Sequence, residues 1–222
     1  DIFSAFYYCL PDYQLILEGS PTSATNLEWF IQTFLRQQGM TFCGYDAINQ
    51  RVAESDLHSS ILFLPFLYGT NVNIDAKGAF VGLKGGHGIA DMLRAIYEGV
   101  VFCHMYHIDR LLKFRERPET VRIAGGGARS AVWMQIFADA LGAQVEVSEA
   151  EELGAMGAAM VAGVGVGVFQ NMYRAVERFT HISHFYQPDP EKHAYYQKKY
   201  ALYRRLIDAL DPLWMEFDQL GE

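Results

Sequence analysis

The feature that most constrains this chain is a compact block past its middle. Val121-Arg122-Ile123-Ala124 reads as a strand and Gly125-Gly126-Gly127 as a turn. Ser130 to Leu141 reads as a helix with Trp133, Ile136, Phe137 and Leu141 inward, and Gln144 to Val147 as a second strand. Strand, helix and strand joined by short connections predict a parallel pair in an α/β sheet. A tight strand-to-helix turn alone would account for some glycine. Three in a row also let the backbone approach a ligand, because no Cβ stands in the way. The helix that follows is expected to present free N–H groups to an anion. Gly125, Gly126, Gly127, Ala128 and Ser130 are therefore candidate nucleotide-binding residues.

Other elements frame this block. Phe6 to Glu18 reads as two short strands around a Pro11-Asp12 turn, and Gly19 to Ser23 as a loop. Ser23 is expected to cap a helix carrying Leu27, Phe30, Ile31 and Phe34. A short helix follows from Tyr45 to about Glu54, then a buried apolar run from Ile61 to Phe66 and a loop from Tyr68 to Lys77. The clearest helix spans about 88–114, with Ile89, Met92, Leu93, Ile96, Tyr97, Val100, His104, Ile108 and Leu111 on one stripe. A helix of small residues runs from Gly154 to about Val164 and suits a packing seam or a buried core. The tail from Pro190 is helical, with a break at Asp211-Pro212 where Asp would cap and Pro would take the first helical position.

Charge and cysteines exclude several classes. A formal net charge of −8 argues against a broad nucleic-acid surface, though not against a small anion held by backbone N–H groups. Cys9, Cys43 and Cys103 are too far apart for a disulfide framework, and no C-x-x-C pair suggests zinc. No apolar stretch is long enough for a membrane span, and no signal peptide is evident, so a cytoplasmic location is expected. The chain opens at Asp1 on apolar, strand-like sequence, which reads as a piece of a longer protein; a trimmed complete domain is the alternative.

Individual side chains add little chemistry. His104 is expected to be a hydrogen-bonded core residue, and no metal site is expected from His104, His107, His181 or His184. Asp75 and Asp91 have no evident nucleophile or substrate to serve and read as structural. Glu149, Glu151 and Glu152 read as a solvated acidic loop. Gly125-x-Gly127-x-x-Ser130, with Glu149 after the next strand, comes near a dinucleotide fingerprint. Its third glycine is missing, however. A domain of an NAD(P)-dependent oxidoreductase thus stays open as an alternative, as does a non-catalytic interaction module.

Gly78-Ala79-Phe80-Val81-Gly82-Leu83 and Asp91 to Glu98 resemble the C-terminal pattern of the FGGY carbohydrate kinases. Ile123 to Gln135 resembles that family's adenosine motif, and Glu152 to Ala159 its second connecting helix, in the same order and at similar distances. The resemblance implies an α/β, actin/hexokinase-like (ribonuclease H-like) ATPase lobe with a mixed sheet flanked by helices. Residues 1–222 would be the C-terminal, nucleotide-binding lobe, and the N-terminal sugar-binding lobe would lie outside this chain. The resemblance further implies ATP and Mg2+ as cofactors, a small-molecule sugar such as a ketopentose as substrate, and no catalytic residue in this chain. A homodimer is expected. Carried over by position, Gly126, Gly127 and Ala128 would line adenine and ribose, with Ala24, Thr25 and Glu28 near the nucleotide. One departure stands out: Lys77 occupies the place of an arginine, and a lysine cannot reproduce a bidentate fork.

Overall fold

The computed structural model describes residues 4–21, 23–36, 44–150 and 152–220. Cys43, Glu151 and Asp1, named above, lie outside the described residues. The central block forms as the sequence predicts. Strand β5 (Thr120–Ile123) pairs in parallel with β6 (Gln144–Ser148) across helix α4 (Ala131–Leu141). (Numbering follows chain order, with β1 to β4 and α1 to α3 upstream.) On its other side β6 pairs antiparallel with β7 (Ile182–Tyr186), giving a mixed three-stranded sheet. Helix α4 starts and stops on local signals. The Ser130 hydroxyl accepts from Trp133 N–H at 3.1 Å, and Gly142 ends the helix in the left-handed region at φ 65°.

Two smaller sheets flank this one. β1 (Ser4–Tyr7) and β2 (Gln14–Leu17) form an antiparallel hairpin exposed on both faces, with Tyr7 98% exposed. β3 (Leu62–Leu64) is fully buried and pairs with β4 (Ala79–Val81). Helix α3 (Ile89–Leu111) crosses β3 so closely that a Cβ at Gly99 would collide with the Phe63 carbonyl oxygen. The main core joins α1 (Thr25–Phe30), α2 (Tyr45–Glu54), β3, α3, α4 and α7 (Pro190–Leu210). Asp189 caps α7 ahead of Pro190, accepting from Glu191 N–H at 2.9 Å and Lys192 N–H at 3.2 Å. Tyr196, Tyr200 and Tyr203 face Phe102 of α3.

The core also holds charge. Lys199 Nζ lies 2.6 Å from Glu98 and 2.8 Å from the Ser59 carbonyl, while Arg94 reaches Glu98 at 3.5 Å and the Val52 carbonyl at 2.7 Å. Complete desolvation pushes the Glu98 carboxyl up against the pull of Lys199 and Arg94. Because Arg94 of α3 reaches the Val52 carbonyl of α2 and Lys199 of α7 reaches Glu98 of α3, this cluster ties α2, α3 and α7 together.

Helix α5 (Leu153–Gly165) packs on α6 (Met172–Phe179) in a small separate cluster of Met160, Met172 and Ala175. Three local expectations are corrected. Ser23 caps nothing with its side chain; α1 starts after Ala24, and a π-helical run, Ile31–Arg36, continues it with Phe34 exposed. The tail breaks at Asp211-Pro212 as expected, but with Leu210 as cap and Pro212 in the second position of the next turn. Asp211 opens a 3-10 turn, Asp211–Leu213, and its carboxylate accepts from Asn73 Nδ2 instead of capping α8 (Trp214–Gln219). Finally, His104 is exposed, and the core histidine is His107, 4% exposed.

Candidate functional site

The glycine turn sits at the C-terminal end of β5, where parallel strands commonly deliver ligand-binding loops. Gly125 has φ 97°, a conformation that favours glycine, and bends the chain into the 3-10 turn Gly126–Arg129. A cavity of about 560 Å³ opens beside this turn. Its walls come from four places: Ala24, Leu27 and Glu28 around α1, Tyr45, Asp46 and Asn49 on α2, Tyr97 on α3, and Gly126, Gly127, Arg129, Ser130 and Trp133. A Cβ at Gly126 would meet nothing within 4 Å, so the glycine leaves open space on the cavity side.

The walls are held by hydrogen bonds. Tyr97 and Trp133 stack with ring centroids 4.3 Å apart and planes 18° from parallel, and Trp133 Nε1 donates to the Tyr97 carbonyl at 3.1 Å. The Asn49 carbonyl oxygen accepts from the Tyr97 hydroxyl at 2.8 Å and from the Ser130 hydroxyl at 2.6 Å. Burial pushes the Tyr97 phenol up to about 12, so it stays a donor. Opposite, the Tyr45 hydroxyl donates to Glu28 at 2.8 Å, and Gln32 donates to its other oxygen. The Tyr45 bond is the main cause that holds the Glu28 carboxyl below its usual range. The cavity thus pairs a flat aromatic wall with an ionised carboxylate.

The predicted site residues divide. Gly126, Gly127, Ser130, Ala24 and Glu28 converge on this cavity, from stretches about a hundred residues apart in sequence. Gly125 and Ala128 do not line it; they line the two concavities that flank the turn, of about 490 and 610 Å³. Thr25 is exposed and lines none of the three. The expected free helix N-terminus is partly closed, because Ser130 N–H donates to the Gly127 carbonyl of the 3-10 turn at 3.1 Å and Trp133 N–H donates to the Ser130 hydroxyl. Asp91 accepts from Gly88 N–H at 2.8 Å and so caps α3, as a structural reading requires. Glu149 and Glu152 are exposed and lie in the flanking concavity with His184. Among the described residues no three of His, Cys, Asp and Glu come together as metal ligands.

Sequence reasoning missed Tyr45, Asp46, Asn49, Tyr97 and Trp133 as cavity residues. Tyr97 and Trp133 read as core, and they are; each also lines the cavity. No local signal marks Asn49, whose role exists only once α2 lies against α4.

Residues 8–166 match the model of the FGGY family of carbohydrate kinases, C-terminal domain. The chain belongs to this family. It is 43% identical over 197 residues to the L-xylulose/3-keto-L-gulonate kinase of Escherichia coli (strain K12), covering 88% of this chain but 38% of that protein. It thus spans about two fifths of the length of the curated relatives it matches. In fold it is similar to a ligand-bound xylulose kinase from Lactobacillus acidophilus, with TM-score 0.85, 23% identity, and coverage of 97% of this chain and 43% of that one. A Plasmodium falciparum glycerol kinase solved with ADP is similar at TM-score 0.76 and 19% identity, over 92% and 41% of the two chains. The fold is the actin/hexokinase-like ATPase fold, with a mixed sheet flanked by helices. The dinucleotide alternative is not favoured: β7 runs antiparallel where that fold would continue in parallel. Among the described residues no helix is long and apolar enough to cross a membrane.

Proposed function

We propose that this FGGY-family chain is the C-terminal, ATP-binding lobe of a sugar kinase that phosphorylates a hydroxyl of a ketopentose or related sugar, and that the full-length enzyme is a cytoplasmic homodimer. The observation that carries the reading is the convergence of the glycine turn, Ala24 and Glu28 on one cavity with an aromatic wall. Three features fit adenosine. The open space at Gly126 admits a ring close to the backbone. Tyr97 and Trp133 offer apolar contact to a purine. Glu28 and Asp46 can accept from ribose hydroxyls, and as anions they disfavour phosphate at this end. Gly125, Ala128 and Ser130 shape the turn.

ATP would supply the transferred phosphoryl group, and Mg2+ would neutralise its charge. In this reading the chain's own part is to bind and orient the nucleotide, since phosphoryl transfer depends mainly on positioning and charge stabilisation. The base that takes the sugar proton would lie in the other lobe. The test uses full-length protein. ATP and NAD are titrated separately, and ADP release is followed with a panel of ketopentoses. Gly126→Val should weaken ATP binding by tenfold or more, on the order of one filled contact, while sugar affinity holds. Binding of NAD in preference to ATP, or equal loss of ATP and sugar in the variant, would overturn the reading. ATP binding without turnover on any sugar would favour a non-catalytic module of the same fold.

A further inference from the structure

The loop that brings Ala24 and Glu28 to the cavity is itself held by a chain of polar contacts that no element of the proposed chemistry uses. Glu18, at the end of β2, has a side chain only 2% exposed. Its Oε1 lies 2.6 Å from Arg110 Nη1 and 3.0 Å from His107 Nδ1, both on α3. His107 Nε2 lies 2.7 Å from the Ser20 hydroxyl, and Ser20 lies 3.0 Å from the Thr70 hydroxyl. Thr70 in turn accepts from Val72 N–H at 3.1 Å. One turn earlier on α3, His104 Nε2 meets the Ser23 hydroxyl at 3.0 Å, and its ring rests against Phe137 of α4. Two histidines on one helix thus hold two serines on one loop.

The geometry sets the direction of each bond. A carboxylate can only accept, so Nδ1 of His107 donates to Glu18. Burial holds the His107 ring below its usual range and so favours the neutral form, in spite of the opposing pull of Glu18. Nε2 is then an acceptor and takes the Ser20 proton. The Asn71 oxygen, at 3.4 Å, is the weaker competitor for that proton. The Ser20 oxygen is left to accept from Thr70. Hydroxyl, imidazole and carboxylate in this order also make a hydrolytic triad. Here Ser20 lines none of the cavities described above and its partner His107 is 4% exposed. The arrangement holds a loop in place.

We propose that Ser20, His107 and Glu18, with Ser23 and His104 as a second tie, are positioning residues that fix the nucleotide-side loop against α3 and so set the affinity of the cavity. The inference rests on the reading of that cavity as the nucleotide site. Ser20 leads by four residues to Ala24, which lines the cavity, and Ala24 accepts from Leu27 N–H at 3.0 Å as α1 begins. Slack at Ser20 therefore reaches Glu28 through the start of α1. Thr70 puts the 68–77 loop in the same chain of bonds.

The experiment measures ATP affinity by calorimetry and the two KM values in the full-length enzyme, for Ser20→Ala, Ser20→Thr, His107→Gln, the Ser20→Ala/His107→Gln double variant and Ser23→Ala, with Gly126→Val as the direct block. Ser20→Ala should weaken ATP about tenfold, the value of one net hydrogen bond, with the sugar KM unchanged. Ser20→Thr should restore affinity, and the double variant should be no worse than its weaker parent, since both remove one bond. ATP affinity within about twofold of wild type in Ser20→Ala and Ser23→Ala, while Gly126→Val is weakened, would overturn the proposal and leave the nucleotide site standing. If Ser20→Ala does not fold, Ser23→Ala decides by hydrogen exchange over residues 18–24. Faster exchange with weaker ATP supports the latch, and faster exchange with unchanged ATP overturns it. Wild-type ATP binding by a folded Gly126→Val would instead remove the site itself, and the latch with it.

Discussion

Helices α4 and α5 are both apolar and differ by two residues in length, yet they live in different surroundings. In α4 eight residues are buried, from Trp133 and Met134 to Leu141, boxed between α3, α7 and β6. In α5 Met160 alone is buried among the described residues, and Val161 is 50% exposed. The glycines tell the same story. A Cβ at Gly142, just after α4, would strike the His193 ring, whereas one at Gly154 or Gly157 in α5 would meet nothing within 4 Å. Composition says that a helix needs cover; it does not say where the cover comes from. For α4 the cover is in this chain. Gly163 near the end of α5 packs against Phe169, but Gly154 and Gly157 serve no side-chain contact among the described residues, as expected if a surface from elsewhere in a longer protein lies there.

The largest test of that contrast is a matched pair of truncations. Trp133→Ala should cost about 3–5 kcal/mol, because a fully packed aromatic leaves a cavity behind. Val161→Ala in α5 should stay within about 0.5 kcal/mol in this chain. Denaturant unfolding of both variants checks it, and similar costs would mean that α5 is covered after all. A second pair uses glycine. Gly142→Ala should destabilise by about 1–3 kcal/mol, since it meets both a positive φ and the His193 ring. Gly157→Ala should stabilise this chain by about 0.5–1 kcal/mol through helix propensity alone. The same substitution in the full-length protein should lose that gain or reverse it, and thermal unfolding of both forms reads the difference. The smallest effect concerns pH. Glu28 titrates below its ordinary value when folded, so its bond to Tyr45 adds stability above the unfolded value, and that stability is lost as pH falls through the folded one. Tyr45→Phe should therefore be less stable than wild type near neutral pH. The gap should close in acid. A gap that stays constant down to the acid limit would show that Tyr45 acts by packing alone.

How much of this was legible follows the same division. The β5, turn, α4 and β6 block was readable nearly to the residue, because caps, glycines and periodicity all act locally there. The strand β7 was not seen, since Ser183, His184 and Phe185 are all exposed and leave no alternation to read. The helix α6 was missed as well. Ser23 was misread as a cap because its true partner, His104, is 81 residues away. In the site, Gly126, Gly127 and Ser130 are readable from the glycine turn itself and Ala24 and Glu28 from the family resemblance, while Asn49 and Tyr45 depend on how α2 docks and carry no signal of their own.

One helix joins nearly everything described above. Within 14 residues α3 carries Tyr97 of the cavity wall, Glu98 of the buried charge cluster, and His104, His107 and Arg110 of the latch. From Tyr97 to Arg110 is about 20 Å of rigid rod, and each residue added or removed turns one end about 100° against the other. An insertion or deletion between those points would therefore misaim the wall, the charge or the latch, whichever end was held. The length of α3 is locked by the sum of its duties.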